Sequence, residues 1–231
     1  MERKKLQRER EEKRRQQFRH AILEAAERVI VRKGCNAATM DDVAREAQLS
    51  KATLYHYFRG KGELTLEILG HFFEEINEEV KKISLLPLSA TEKLEKGIRF
   101  YLQFHQEKEN ISRMLITNRS FIEKMKIFVT EDKKITSDMD RRFITRMKAR
   151  RKEILNRVAG FLRDGVAAGE FRKIDISAAV TFLESLLEGY CHVRYWHERP
   201  YSVKEATEII HGFFLQGIQK KEEGPAKGAS R

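Results

Sequence analysis

With only 3 proline and 13 glycine residues in 231, the chain has few positions that interrupt a helix. Its two cysteines, Cys35 and Cys191, form no metal-spaced cluster and read as reduced, partly buried thiols. No apolar run is long enough to span a bilayer. The N-terminal MERKKLQRERE lacks the apolar core of a signal peptide, so a cytoplasmic location is expected. No P-loop, serine nucleophile elbow, dinucleotide glycine pattern or metal-spaced His/Cys set occurs. His71, His105, His192, His197 and His211 are scattered and read as structural. The expectation is a protein that is not an enzyme, with no catalytic residue, metal or cofactor.

What is present is charge and helix-forming residues. Long stretches of Glu, Lys, Arg, Leu and Ala argue for an all-α protein. A net charge of +11 attracts polyanions, which makes nucleic acid the leading partner class and simple solubility the bland alternative. Residues 1–17 are nearly all polar, with Arg3, Lys4, Lys5, Arg8, Arg10, Lys13, Arg14 and Arg15 set among Glu2, Glu9, Glu11 and Glu12. Opposite charges three and four apart support a solvated helix, but no apolar stripe ties this basic arm to a core, so fraying is as consistent. It is either a DNA-tracking arm or a solubilising tail.

An amphipathic helix is expected from Phe18 to Lys33, with Ile22, Ala26, Val29 and Ile30 on one face and Gly34 as its C-terminal cap. After the motif region at 39–60, a longer helix begins at Lys61 and stops near Pro87. Ser89-Ala90-Thr91-Glu92 is a capping box that starts the next helix. Two shorter helices are expected across 109–137, a long one from Asp138 to Ala168 ended by Gly169, and another from Asp175 to Glu198. Ser202 caps a last helix running to Gln219, and residues 221–231 read as a disordered tail.

The string TMDDVAREAQLSKATLYHYF, residues 39–58, carries the function. Thr39 stands at an N-cap with Asp42 three residues on, and Val43, Ala44 and Ala47 face inward. Gln48-Leu49-Ser50 makes a tight turn, and Ser50 caps a second helix whose Leu54 and Phe58 face the core. This is helix-turn-helix spacing, in which the second helix enters the major groove. Lys51, Ala52, Thr53, Tyr55, His56 and Tyr57 lie on or near the outward face. Lys, Thr and His suit base edges or phosphates, while tyrosine hydroxyls and Lys61 suit phosphates. The bland reading, a helical packing unit with buried rings, fits poorly with three polar-tipped rings in a row.

Thr39, Val43, Ala44, Ala47, Ser50, Thr53, Leu54, Tyr55, Tyr57, Phe58 and Lys61 resemble the TetR family of transcriptional regulators, and the resemblance covers residues 18–69. Gln48 stands where that family usually has glycine, which accepts φ > 0 without strain. The resemblance implies an N-terminal DNA-binding domain (18–60), a helical ligand-binding and dimerisation domain (61–220), and DNA contacts at Thr39, Lys51, Ala52, Thr53, Tyr55, His56, Tyr57 and Lys61.

In the larger region, Phe72, Phe100, Phe104, Met114, Phe121, Met125, Phe143 and Met147 offer aromatic and Met surface suited to an adaptable apolar pocket, or simply to core. Phe182, Leu186, Tyr190, Ile210, Phe213 and Phe214 suggest a homodimer interface, since the last two helices are apolar all round. The basic run Arg141–Lys152 is a solvated face or a seat for the phosphates of an acyl-CoA. The expectation is a repressor of a palindromic double-stranded DNA operator, released by a hydrophobic effector. Fatty acyl-CoA or fatty acid ranks first, an aromatic or multidrug effector of an efflux operon second, and an effector-independent DNA-binding protein is the remaining alternative. Release would act by moving the Lys61–Ser84 helix.

Overall fold

The computed structural model describes residues 2–117, 138–194, 198–199 and 201–218. They form nine helices: α1 (Glu2–Lys33), α2 (Met40–Glu46), α3 (Lys51–Tyr57), α4 (Lys61–Ser84), α5 (Ala90–Glu107), α6 (Glu109–Thr117), α7 (Asp138–Ala167), α8 (Ile176–Val193) and α9 (Val203–Ile218). The all-α architecture expected from composition is therefore observed. Among the described residues, no helix is long and apolar enough to cross a membrane.

Two boundaries differ from the sequence reading. The basic arm is helical from Glu2 and continuous with the amphipathic segment, rather than frayed. The helix starting at Asp175 ends at Val193, before Glu198, and Asp175 is its N-cap, accepting from the Ala178 N–H at 3.0 Å. Of the two helices expected across 109–137, α6 is the first, and the second falls outside the described residues, as does the tail.

The chain divides into two compact units, residues 1–75 with 108–148 and residues 76–107 with 149–231. In the first, Ile22, Ala26, Val29 and Ile30 of α1 are buried together with Leu54, Phe58, Ile68, Leu69 and Phe72. Gly34 adopts φ +78° and returns its N–H to the Ile30 carbonyl at 2.8 Å, which closes α1 as a left-handed cap. Asn110 of α6 donates to the Val31 carbonyl at 2.8 Å, so α6 is tied to the end of α1.

A part-buried ionic cluster strengthens that tie. His71 Nδ1 lies 3.2 Å from Glu27 Oε1 and 3.0 Å from Glu75 Oε1, and Lys108 Nζ reaches Glu27 Oε2 at 2.9 Å and also contacts Glu75. One acid comes from α1, the other acid and the imidazole from α4, and the lysine is the residue just before α6. The hydrogen bonds of Glu27 and Glu75 raise the His71 pKa to about 9. Burial pushes both carboxylates up, but His71 and Lys108 outweigh it and leave them below the usual range.

In the second unit, the Glu170 carboxylate caps α5 from a distance, accepting from the Ala90 and Thr91 N–H groups at 3.1 and 3.0 Å and from the Thr91 hydroxyl at 2.9 Å. Gly165 permits this turn to close, since a Cβ there would lie 2.2 Å from the Phe171 ring and 2.8 Å from the Ala90 Cβ. Arg172 then ties the turn to α9 through the Gly217 carbonyl at 3.0 and 2.6 Å.

Two outcomes are expected. His71 titrates higher folded than unfolded, so its contribution is fully present below its ordinary pKa of 6.5 and is lost as pH rises through about 9. Thermal midpoints measured from pH 6.5 to 9.5 should therefore fall more for the wild type than for His71→Gln; parallel curves would refute the coupling. Separately, Gln48 sits at φ +56°, where a side chain costs about 1–2 kcal/mol and glycine partly recovers it. Gln48→Gly should raise unfolding stability by about 0.5–1 kcal/mol in urea titration.

Candidate nucleic-acid interface

The helix-turn-helix is built from its caps inward. Thr39 accepts the Asp42 N–H at 3.1 Å, while Asp42 Oδ2 accepts the Thr39 N–H at 3.2 Å, a reciprocal capping box. Lys33 at 2.6 Å, then Thr39, holds the Asp42 carboxyl at about 2. Arg28 and Arg32 of α1 both grip Glu46 at the far end of α2, at 2.9 and 2.8 Å. Exposed pairs of this kind add little stability singly, but together they orient α2 on α1.

At the turn, Gln48 takes the left-handed conformation expected from the family's usual glycine, and the Leu49 N–H returns to the Ala44 carbonyl at 2.9 Å. Ser50 caps α3 by accepting the Thr53 N–H at 3.1 Å. Leu54 and Phe58 have 0% exposure. Burying each contributes about 1.5–3 kcal/mol, enough to hold a short helix against the core.

The opposite face is open. Lys51, Ala52, Tyr55 and His56 are exposed and share one side of α3, the periodicity a groove-reading helix requires. Thr53 is half-buried at the edge, its hydroxyl 2.8 Å from that of Ser50. Lys51 Nζ lies 2.8 Å from Asp41, which raises its pKa and keeps it charged. Lys61, at the start of α4, is exposed and donates to the Asn36 carbonyl at 3.0 Å, and Thr39 is exposed beside the same end of the domain.

Two residues outside the sequence reading of the site prove important. Phe18 stacks on Tyr57 with centroids 6.1 Å apart and an interplanar angle of 11°. Arg19 donates to the Tyr57 carbonyl at 2.7 Å, and its guanidinium lies 4.3 Å from the Phe58 ring centroid. α1 thus fixes the C-terminal end of α3. No local signal announces this contact, because the partners stand 38 residues apart.

A family model of bacterial regulatory proteins, tetR family, matches residues 22–68, the span from the α1 core to α4. Over that span the chain is similar to the TetR family. It is a DNA-binding, helix-turn-helix transcriptional regulator. It is similar to the HTH-type transcriptional regulator YhgD of Bacillus subtilis, 25% identical over 154 residues, covering 67% of this chain and 72% of YhgD. It is also similar to a fatty acid metabolism regulator protein of Bacillus subtilis, 20% identical over 205 residues, covering 87% and 95%. Its fold is similar to that of FadR from Bacillus subtilis, solved in complex with stearoyl-CoA, with a TM-score of 0.63, 16% identity, and coverage of 87% and 99%.

The remaining candidate residues divide between the units. Phe72, Phe143 and Met147 are buried in the first unit; Phe104 is buried and Phe100 half-buried in the second, their rings 5.4 Å apart. Phe121, Met125 and the side chain of Met114 lie outside the described residues. Within the basic run, Arg146 pairs with Glu67, Arg150 with Glu153 and Arg151 with Glu184. Phe182 and Phe213 are 72% and 68% exposed on α8 and α9, and Leu186 is exposed beside them. Tyr190 and Phe214 are half-buried. Ile210, grouped with them from sequence, is 5% exposed and serves the chain's own core; it lies only about 60° round α9 from Phe213, at the inner edge of a wide apolar stripe. The donor atoms of Glu27, His71 and Glu75 lie within 4.8 Å of one another, a spacing that could hold a cation, but Lys108 already pairs with both carboxylates.

Tyr57→Ala and Lys61→Ala should each weaken binding to all duplexes several-fold, because they remove backbone-positioning contacts. His56→Ala should instead change the preferred sequence in a binding-site selection. Unchanged affinity, salt dependence and preference in all three would overturn the assignment of α3 as the reading helix.

Proposed function

We propose that the protein is a homodimeric repressor that holds a palindromic operator and is released by a fatty acyl-CoA or fatty acid. The observation that carries the DNA half is the exposed Lys51–Ala52–Tyr55–His56 face on a helix anchored by two fully buried residues. In support of the dimer, Phe182, Leu186 and Phe213 are large apolar side chains left open on the last two helices, which a second copy would cover. The likeness to FadR, solved with stearoyl-CoA, supports an acyl effector. The exposed Arg141, Arg142 and Lys148 on α7 are the cations proposed for its phosphates. Effector binding favours a spacing of the two recognition helices that no longer matches one turn of duplex, by as much as its differential affinity for the two states.

Duplexes selected by the purified chain should be palindromic, with half-sites roughly 34–36 Å apart or a multiple of it. Stearoyl-CoA at micromolar concentration should release them, and Phe213→Glu should give a monomer that no longer retains the operator. Release by aromatic drugs but not by acyl-CoA would move the protein to the control of an efflux operon. Operator binding that no small molecule alters would leave an effector-independent DNA-binding protein.

A further inference from the structure

The basic arm carries a second surface of α1. Residues 2–17 continue the helix without a break, and residues 9–17 are all exposed. Hydrogen bonds seen here stay inside the segment, Gln7 to Glu11 at 3.1 Å and Gln16 to Glu12 at 3.3 Å. Nothing in the core requires this extension, which reaches roughly 24 Å beyond Phe18 at 1.5 Å per residue.

Its charges are not evenly mixed. At about 100° per residue, Leu6, Gln7, Arg10, Lys13, Arg14 and Gln17 share a sector of roughly 120°. Glu9, Glu11 and Glu12 all project outside it. The Arg14 guanidinium lies 5.9 Å from the Phe18 ring centroid, and the other side of the contact is the Phe18–Tyr57 stack on the recognition helix. The cationic sector is thus continuous, ring to ring, with the end of α3. Arg19, bound to the Tyr57 carbonyl, fixes the direction in which the extension leaves the domain.

We propose that the α1 extension is a second DNA-binding element, which lays Arg10, Lys13 and Arg14 along the backbone phosphates of duplex flanking each half-site. This rests on the reading of α3 as the groove-entering helix. The partner surface is the phosphate backbone rather than the minor groove, because a helix with side chains is about 10–12 Å across and the minor groove only about 6 Å wide. It adds affinity without sequence information, since it meets phosphates and not base edges.

The test uses the full-length chain and the triple variant Arg10→Gln/Lys13→Gln/Arg14→Gln, each bound to the selected operator with long flanks and to the same operator trimmed to its two half-sites. The variant should bind the long duplex at least tenfold more weakly at physiological salt. Its plot of log affinity against log salt should be shallower by about 2 or more, because each lost phosphate contact removes about 0.9. On the trimmed duplex the two proteins should agree. Equal salt slopes and equal gain from the flanks would overturn the proposal while leaving α3 in place, and the arm would be a solubilising extension. A wild-type chain that retains neither duplex overturns both readings. Matching far-ultraviolet circular dichroism and thermal midpoints for the two proteins establish that only the charges changed.

Discussion

A seven-residue helix does not persist alone in water, so the reading surface depends on what holds α3 down. The burial of Leu54 and Phe58 supplies the adhesion, but burial is non-directional and leaves rotation about the helix axis loosely set. Direction comes from Arg19, which binds the Tyr57 carbonyl and covers the Phe58 ring with the same guanidinium. That carbonyl belongs to the last turn of α3, where backbone acceptors lack intrahelical partners. One side chain therefore satisfies an orphan acceptor, covers the anchor ring, and fixes which face of α3 meets solvent. The exposed side chains of α3 keep their positions because Arg19, on the opposite side, keeps the helix from rolling.

The same logic extends outward through α1. Its middle orients α3 through Phe18 and Arg19, its C-terminal turns hold α2 through Arg28 and Arg32, and Glu27 reaches the cluster with His71, Glu75 and Lys108. That cluster joins three helices with two cations and two carboxylates, all partly removed from water. Charge pairs so placed are screened less than surface pairs, and loss of any one member leaves a partner unpaired. α1 is therefore the spine of the first unit: α2, α3 and the ionic cluster are all held through its side chains.

Features set by local chemistry were readable in the sequence. The capping boxes at Thr39, Ser89 and Ser202, the glycine caps at Gly34 and Gly169, and the Gln48 turn all appear where short-range rules place them, because each involves groups within a few residues. The positive φ at Gln48 was legible only as a departure from a family pattern, since nothing in the glutamine itself asks for that conformation. Contacts between distant segments left no such mark. Glu170, which adds to the Ser89 box at the start of α5, and Arg19, which binds the last carbonyl of α3, act from 79 or 80 and 38 residues away. A period-3.6 pattern also assigned Ile210 and Phe213 to one apolar set, although three residues on a helix separate an inward side chain from an outward one when the stripe is wide.

The energetics of release constrain the effector more tightly than the fold does. Moving a regulator from almost fully operator-competent to almost fully released requires about 5.5 kcal/mol of differential affinity. Hydrogen bonds to a small polar ligand contribute about 0.5–1.5 kcal/mol each net, so several would have to form in one state only. Burial of an acyl chain contributes about 0.8 kcal/mol per methylene, so seven methylenes sheltered in one state and exposed in the other reach the same total. A long-chain acyl group has methylenes to spare, while a short one does not. On the proposed function the protein then measures chain length through the number of methylenes its released state can bury, and phosphate–cation contacts common to both states add affinity without adding any switch.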